Sequence, residues 1–117
     1  MIAVIFEATP FEDKWNNYLE LAEILKPQLS FVPGFISVER FQSMSDQKKV
    51  LSLSFWEDEK SVVQWRNLEL HRQAQKAGRD NVFKDYRIRV ALVQRDYSME
   101  RRTEAPSDSK AVHDKLI

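Results

Sequence analysis

FISVERFQSMSDQKKVLSLSFWE, residues 35–57, decides how this chain folds. Its ends, FISVERFQS and KVLSLSFWE, are rich in β-branched and aromatic residues, and MSDQK between them has the length of a hairpin loop. Side chains alternate along a strand. Leu51, Leu53 and Phe55 therefore share one face of the second strand, and Val50, Ser52, Ser54 and Trp56 share the other.

Working outward, each end of the hairpin meets a turn or cap and then a helix. Upstream, VPGF is a turn in which Pro33 fixes one dihedral and Gly34 can take a positive one. Before it, FEDKWNNYLELAEIL sets Trp15, Tyr18, Leu19, Ala22 and Leu25 at helical steps, with Glu12, Asp13 and Glu23 facing away. Acidic residues in the first turn suit the helix dipole. Pro27 is expected to end or kink this helix near Lys26, with a short turn resuming to Leu29. Downstream, Asp58 is a good N-cap for a helix starting at Glu59, in which Val62 and Trp65 share a face. Gly78, with Lys76 beside it, suits that helix's end.

The outermost elements are strands. MIAVIFEAT ends at Pro10, and YRIRVALVQRDY places Ile88, Val90 and Leu92 on one face. The order strand, helix, strand, strand, helix, strand predicts an α+β, ferredoxin-like βαββαβ sandwich: a four-stranded antiparallel sheet with both helices on one face. The domain is expected over residues 1–97. Residues 98–117, SMERRTEAPSDSKAVHDKLI, are polar, hold Pro106 and show no sustained period; they read as a flexible tail unless a partner subunit holds them.

Both faces of the sheet carry apolar groups. Ile2, Val4 and Phe6 are backed by Ala3 and Ile5, and Ala91 and Val93 back the row of Ile88, Val90 and Leu92. One helical layer cannot cover both, so a homodimer joined through the sheet face is expected.

Composition narrows the partners. Across 117 residues, eighteen Lys and Arg balance eighteen Asp and Glu, which argues against nucleic acid and anionic lipid as targets. The chain holds no cysteine, which removes thiolate chemistry and fits a reducing, cytoplasmic setting. MIAVIFEATPFEDKW reads as a strand that turns acidic, neither a signal peptide nor a membrane span. No Gly-rich phosphate loop, nucleophile elbow or paired-histidine metal motif is present, so no metal or other cofactor is expected.

PGFISVERFQS, a strand ending in FW, a tryptophan nine residues later and then HRQAQKAGRD together resemble the antibiotic biosynthesis monooxygenase domain of the dimeric α+β barrel superfamily. Members of that family include small-quinol monooxygenases, enzymes that oxidise polyketide anthrones with dioxygen and no metal or flavin, isomerases or degraders of signalling molecules, and haem-degrading monooxygenases. Their pocket lies between sheet and helices. Trp65 matches the tryptophan that lines it in the anthrone oxidisers and haem degraders, and His71 falls where anthrone oxidisers carry a proton-exchanging phenol. Those members have an asparagine four residues before the tryptophan, where this chain has Ser61. Haem degraders ligate iron with a histidine ten residues after it; here that position is Gln75, whose amide is a poor haem ligand.

The resemblance thus implies a cofactor-independent monooxygenase that oxidises a small aromatic or quinol-like molecule with dioxygen. Such chemistry needs a base to ionise the substrate and donors to hold the resulting anion in a dry pocket. His71 and Trp65 are the catalytic candidates, and Trp65, Arg89, Gln75 and Ser61 the substrate-binding ones. On a regular helix His71 would stand about 120° from Trp65, so the two share a pocket only if the helix breaks near Asn67 and Leu68. Each candidate also has a plainer role: Trp65 as core, His71 as a surface or hydrogen-bonded residue, and Arg87, Arg89 and Arg95 as solvent-facing or ion-paired groups. His113 lies in the tail, outside this scheme. A non-catalytic dimeric ligand-binding or assembly module is the alternative, and a haem-degrading monooxygenase the third.

Overall fold

The computed structural model describes residues 1–68, 76 and 82–113. Four strands, β1 (Ile2–Pro10), β2 (Phe35–Gln42), β3 (Val50–Trp56) and β4 (Phe83–Leu92), form one sheet in the order β2-β3-β1-β4. All neighbours run antiparallel, with β1 paired from Ile2↔Trp56 to Ala8↔Val50 on one side and from Ile2↔Leu92 on the other. This is the expected ferredoxin-like arrangement, and the α+β sandwich is confirmed. β4 starts three residues before the expected Tyr86 and ends at Leu92. No described helix is long and apolar enough to cross a membrane.

A 3-10 turn over Glu12–Lys14 leads into α1 (Trp15–Leu29). The helix runs through Pro27, against expectation. Pro27 sits in the last turn, where its ring costs a single backbone bond to the Glu23 carbonyl and its fixed φ is already helical. The Ser30 hydroxyl donates back to the Pro27 carbonyl at 2.9 Å, closing that end. The buried stripe also shifts from the expected one: Tyr18 and Leu29 are buried and Leu21 packs inward, whereas Leu19 is exposed.

Gly34 turns the chain into β2 with φ +88°, the one positive φ among the described residues. Its carbonyl accepts from the Glu57 backbone N–H at 2.7 Å, and a β-carbon there would strike the Ser61 side chain. Glycine is therefore required twice over, by conformation and by space. A register shift between Phe35 and Ser37 then sets Val38 opposite Ser54 and Arg40 opposite Ser52. Helix α2 (Glu59–Arg66) begins at the expected cap, with the Asp58 carboxylate accepting from the Ser61 backbone N–H at 2.9 Å. It stops at Asn67, whose side-chain and backbone N–H groups both donate to the Val63 carbonyl, where the sequence loses its apolar phase. The helix end expected at Gly78 lies outside the described residues.

The core falls into two clusters on the helical side of the sheet. Ala8, Tyr18, Val50 and Val82 gather at one end with Phe6, Trp15 and Phe83; Leu29, Val32, Trp56 and Val62 gather at the other with Phe35, Val38 and Trp65. Residues expected to lack regular structure include a short helix, α3 (Ser107–His113). Arg102 ties this segment together, donating to the Ser109 hydroxyl at 2.8 Å and lying over the Tyr97 ring at 5.5 Å.

Candidate functional site

Strand β3 explains why the core is divided. Its helix-facing positions are Val50, Ser52, Ser54 and Trp56: bulky at both ends and small in the middle. A serine leaves several methylenes of volume unfilled beneath α1, and close-packed interiors do not tolerate such gaps without a reason. The result is a cavity of about 490 Å³ between sheet and helices, within the usual range for small-molecule sites. Val4, Phe6, Val38, Ile88 and Val90 form its floor; Tyr18, Leu21, Leu25 and Leu29 of α1 form its roof.

Two indoles close one end. Trp56 is 1% exposed, and its Nε1 donates to the Ser54 hydroxyl at 2.9 Å, which satisfies the buried N–H. Trp65, half-buried, lies against it with ring centroids 6.4 Å apart, and Phe35 meets Trp56 edge-on at 5.3 Å. The other end is aromatic too, with Tyr18 on Phe83 at 5.8 Å and Phe83 on Phe6 at 5.5 Å.

Arg40 brings charge to this apolar space. Its strand register turns it to the helical side, and its Nη2 donates to the exposed Glu23 carboxylate on α1 at 3.1 Å. Nη1 is buried and has no hydrogen-bond partner. Burial pushes the neighbouring Tyr18 phenol above its ordinary pKa, while the charge of the Arg40 guanidinium and a weak hydrogen bond from it pull partly the other way. Tyr18 is neutral at physiological pH, as an ordinary phenol is, and its hydroxyl can donate a hydrogen bond.

The candidate residues from the sequence separate accordingly. Trp65 lies in the cavity wall. Ser61 is buried outside it, its hydroxyl donating to Asp58 at 2.8 Å as part of the helix cap. Arg89 is on the opposite sheet face, where it pairs with Glu7 at 3.1 Å; the strand period that turns Ile88 and Val90 inward turns Arg89 out. His71 and Gln75 lie outside the described residues. Among the described residues no cluster of His, Asp or Glu could hold a metal ion. Sequence reasoning missed Arg40 and the volume left by Ser52 and Ser54. The serines had a signal, small polar residues alternating with Val50 and Trp56 on a strand face; Arg40's direction depended on the register shift.

The antibiotic biosynthesis monooxygenase family matches residues 1–77. The jasmonate monooxygenase ABM of Pyricularia oryzae is 47% identical over 93 residues, covering 80% of this chain; the chain spans 43% of that relative's length. The uncharacterized protein YqjZ of Bacillus subtilis is 29% identical over 101 residues, 86% of each chain. Among solved structures, a conserved protein from Methanosarcina mazei superposes with a TM-score of 0.73 at 17% identity, covering 80% of this chain and 92% of that one. Rv0793 from Mycobacterium tuberculosis does so with a TM-score of 0.74 at 12% identity, covering 83% and 98%. At such identities the structural matches speak for the fold, while the family match spans well over half the sequence: the chain belongs to the antibiotic biosynthesis monooxygenase family.

Proposed function

We propose that this chain is a monooxygenase that binds one small, largely apolar molecule in the cavity and oxidises it with dioxygen, the substrate supplying the electrons. The cavity, closed at one end by Trp56 and Trp65, is the observation that carries the reading. An aromatic or quinol-like substrate suits such walls, since flat rings pack well against indoles. The chemistry balances without a further reductant. Loss of a proton gives a substrate carbanion or phenolate that reduces dioxygen; an activated CH₂ becomes C=O, one oxygen atom entering the product and the other leaving as water. His71 is the proposed base, six residues past Trp65 and beyond the helix end at Asn67. Jasmonate, named for the fungal relative, belongs in the substrate panel beside quinols and anthrones.

The reading includes a homodimer. The sheet face away from the helices carries Ile5, Phe41, Leu51, Leu53 and Phe55, with Phe41 43% exposed. A second copy packed sheet to sheet would bury these side chains. Oxygen uptake on the panel, together with sedimentation, tests both parts. Uptake by a dimer is the expected result. Tight binding with no uptake for any substrate would leave a ligand-binding module, and a Soret shift on haem titration would favour the haem-degrading alternative instead.

A further inference from the structure

Arg40 turns half of its guanidinium toward a largely apolar cavity, where Nη1 finds no hydrogen-bond partner of good geometry and the Tyr18 hydroxyl is the group beside it. Its other half is fixed: Nη2 is held by Glu23, an exposed carboxylate on the facing helix, so the fork is anchored from outside. Nη1 is out of solvent and unbonded, while its strand neighbour Ser52 is too short to crowd it. A buried charged donor without an acceptor is costly, and structures keep few of them. The Tyr18 hydroxyl, reaching down from the α1 roof beside it, is a second donor. The Glu23 carboxylate offsets the net charge from outside the cavity, yet leaves the inward N–H groups unsatisfied.

We propose that the cavity takes an amphiphilic monoanion, a small apolar body carrying a carboxylate, whose oxygen accepts hydrogen bonds from Arg40 Nη1 and the Tyr18 hydroxyl. This assignment rests on the cavity being the substrate site. A carboxylate fits better than a phenol because it is already ionised at neutral pH and satisfies the guanidinium in the resting complex. A neutral phenol oxygen can also accept from Nη1, but without the charge that makes the contact strong. The apolar body then extends from Arg40 along the α1 roof toward Trp56 and Trp65.

The test compares 2-naphthoate with 2-naphthamide, neutral and nearly isosteric, by titration calorimetry at pH 7 on the full chain. The acid should bind about 10- to 100-fold tighter, as expected for a charge-assisted contact away from bulk water. Arg40→Met should bring the acid down to the amide's affinity and leave the amide within about twofold, while Arg40→Lys should keep part of the preference. If Arg40→Met fails to fold, Arg40→Gln carries the same expectation. Equal affinity of acid and amide for the native chain, or a preference that survives the loss of Arg40, overturns the anion site and leaves the cavity reading standing. Absence of binding by both ligands would overturn the two together.

Discussion

The two faces of β3 are built the wrong way round for an ordinary sandwich. The face under the helices carries two serines between Val50 and Trp56, whereas the face turned away from them is uniformly apolar, with Leu51, Leu53 and Phe55. In a sheet with one covered side the larger apolar residues belong on the covered side. The reversal shows that the covered face is not simply filled. Its middle is short and borders the cavity, and its ends hold the packing. The open face has the composition of an interface. On the proposed function one strand serves binding on one side and assembly on the other, and the two uses can be separated by substitution.

The largest effect belongs at the inner end. Trp56 is 1% exposed, contacts Phe35 and Trp65, and bonds to Ser54. Trp56→Ala removes all of this from a side chain that is almost wholly buried, and should cost about 3–5 kcal/mol in urea denaturation. A loss under about 1 kcal/mol would mean that the cluster collapses around the gap and that the packed ends do not carry the fold. On the outer face, Leu53→Lys should leave the circular dichroism spectrum intact and weaken dimerisation about 100-fold by dilution sedimentation, since a charge would be buried at an apolar interface. An unfolded variant, or an unaffected dimer, would break the contrast between the faces.

Much of this was legible because strands and helices write their periods into the sequence. The hairpin, the Asp58 cap and the Gly34 turn followed from local rules that tertiary packing had no cause to override. The rules that predict a break at Pro27 describe a helix interior, whereas its place in the last turn of α1 is harmless. Leu19 and Leu21 exchanged roles because Leu19 lies four residues from Trp15 and Leu21 three from Tyr18, so helical steps admit either and only the sheet beneath decides. Arg40 was hidden for a different reason. One extra residue near Ile36 reverses which side chains of β2 face inward, and no strand period predicts a bulge. Arg89 could have been placed from the alternation alone, since Ile88 and Val90 already claimed the inner face.

A smaller effect tests the short middle of the inner face. Ser52→Leu places a larger apolar side chain against the floor, opposite Arg40. Because the space exists, stability should change by no more than about 1 kcal/mol, while affinity for 2-naphthamide falls about tenfold or more. Large destabilisation would show that β3 leaves no usable volume at Ser52. Unchanged binding would place the ligand elsewhere in the cavity.

The smallest effect concerns the link from β3 to α2, which brings Trp65 against Trp56. The Ser61 backbone N–H, and secondarily its hydroxyl, hold the Asp58 carboxyl below its ordinary pKa of 3.8; slight burial opposes them. A carboxylate with a lowered folded pKa contributes stability that is fully present above its unfolded pKa and is lost as pH falls through the folded one. Asp58→Ala should therefore lower the melting temperature by a constant amount from pH 7 to about pH 5, with the gap to the native chain narrowing below about pH 4. The other carboxylates titrate in both proteins and cancel in the difference. A gap that persists unchanged below pH 3 would mean that Asp58 supports the helix without its charge, and that the attachment of α2 to the end of β3 rests on Gly34 and Ser61 packing instead.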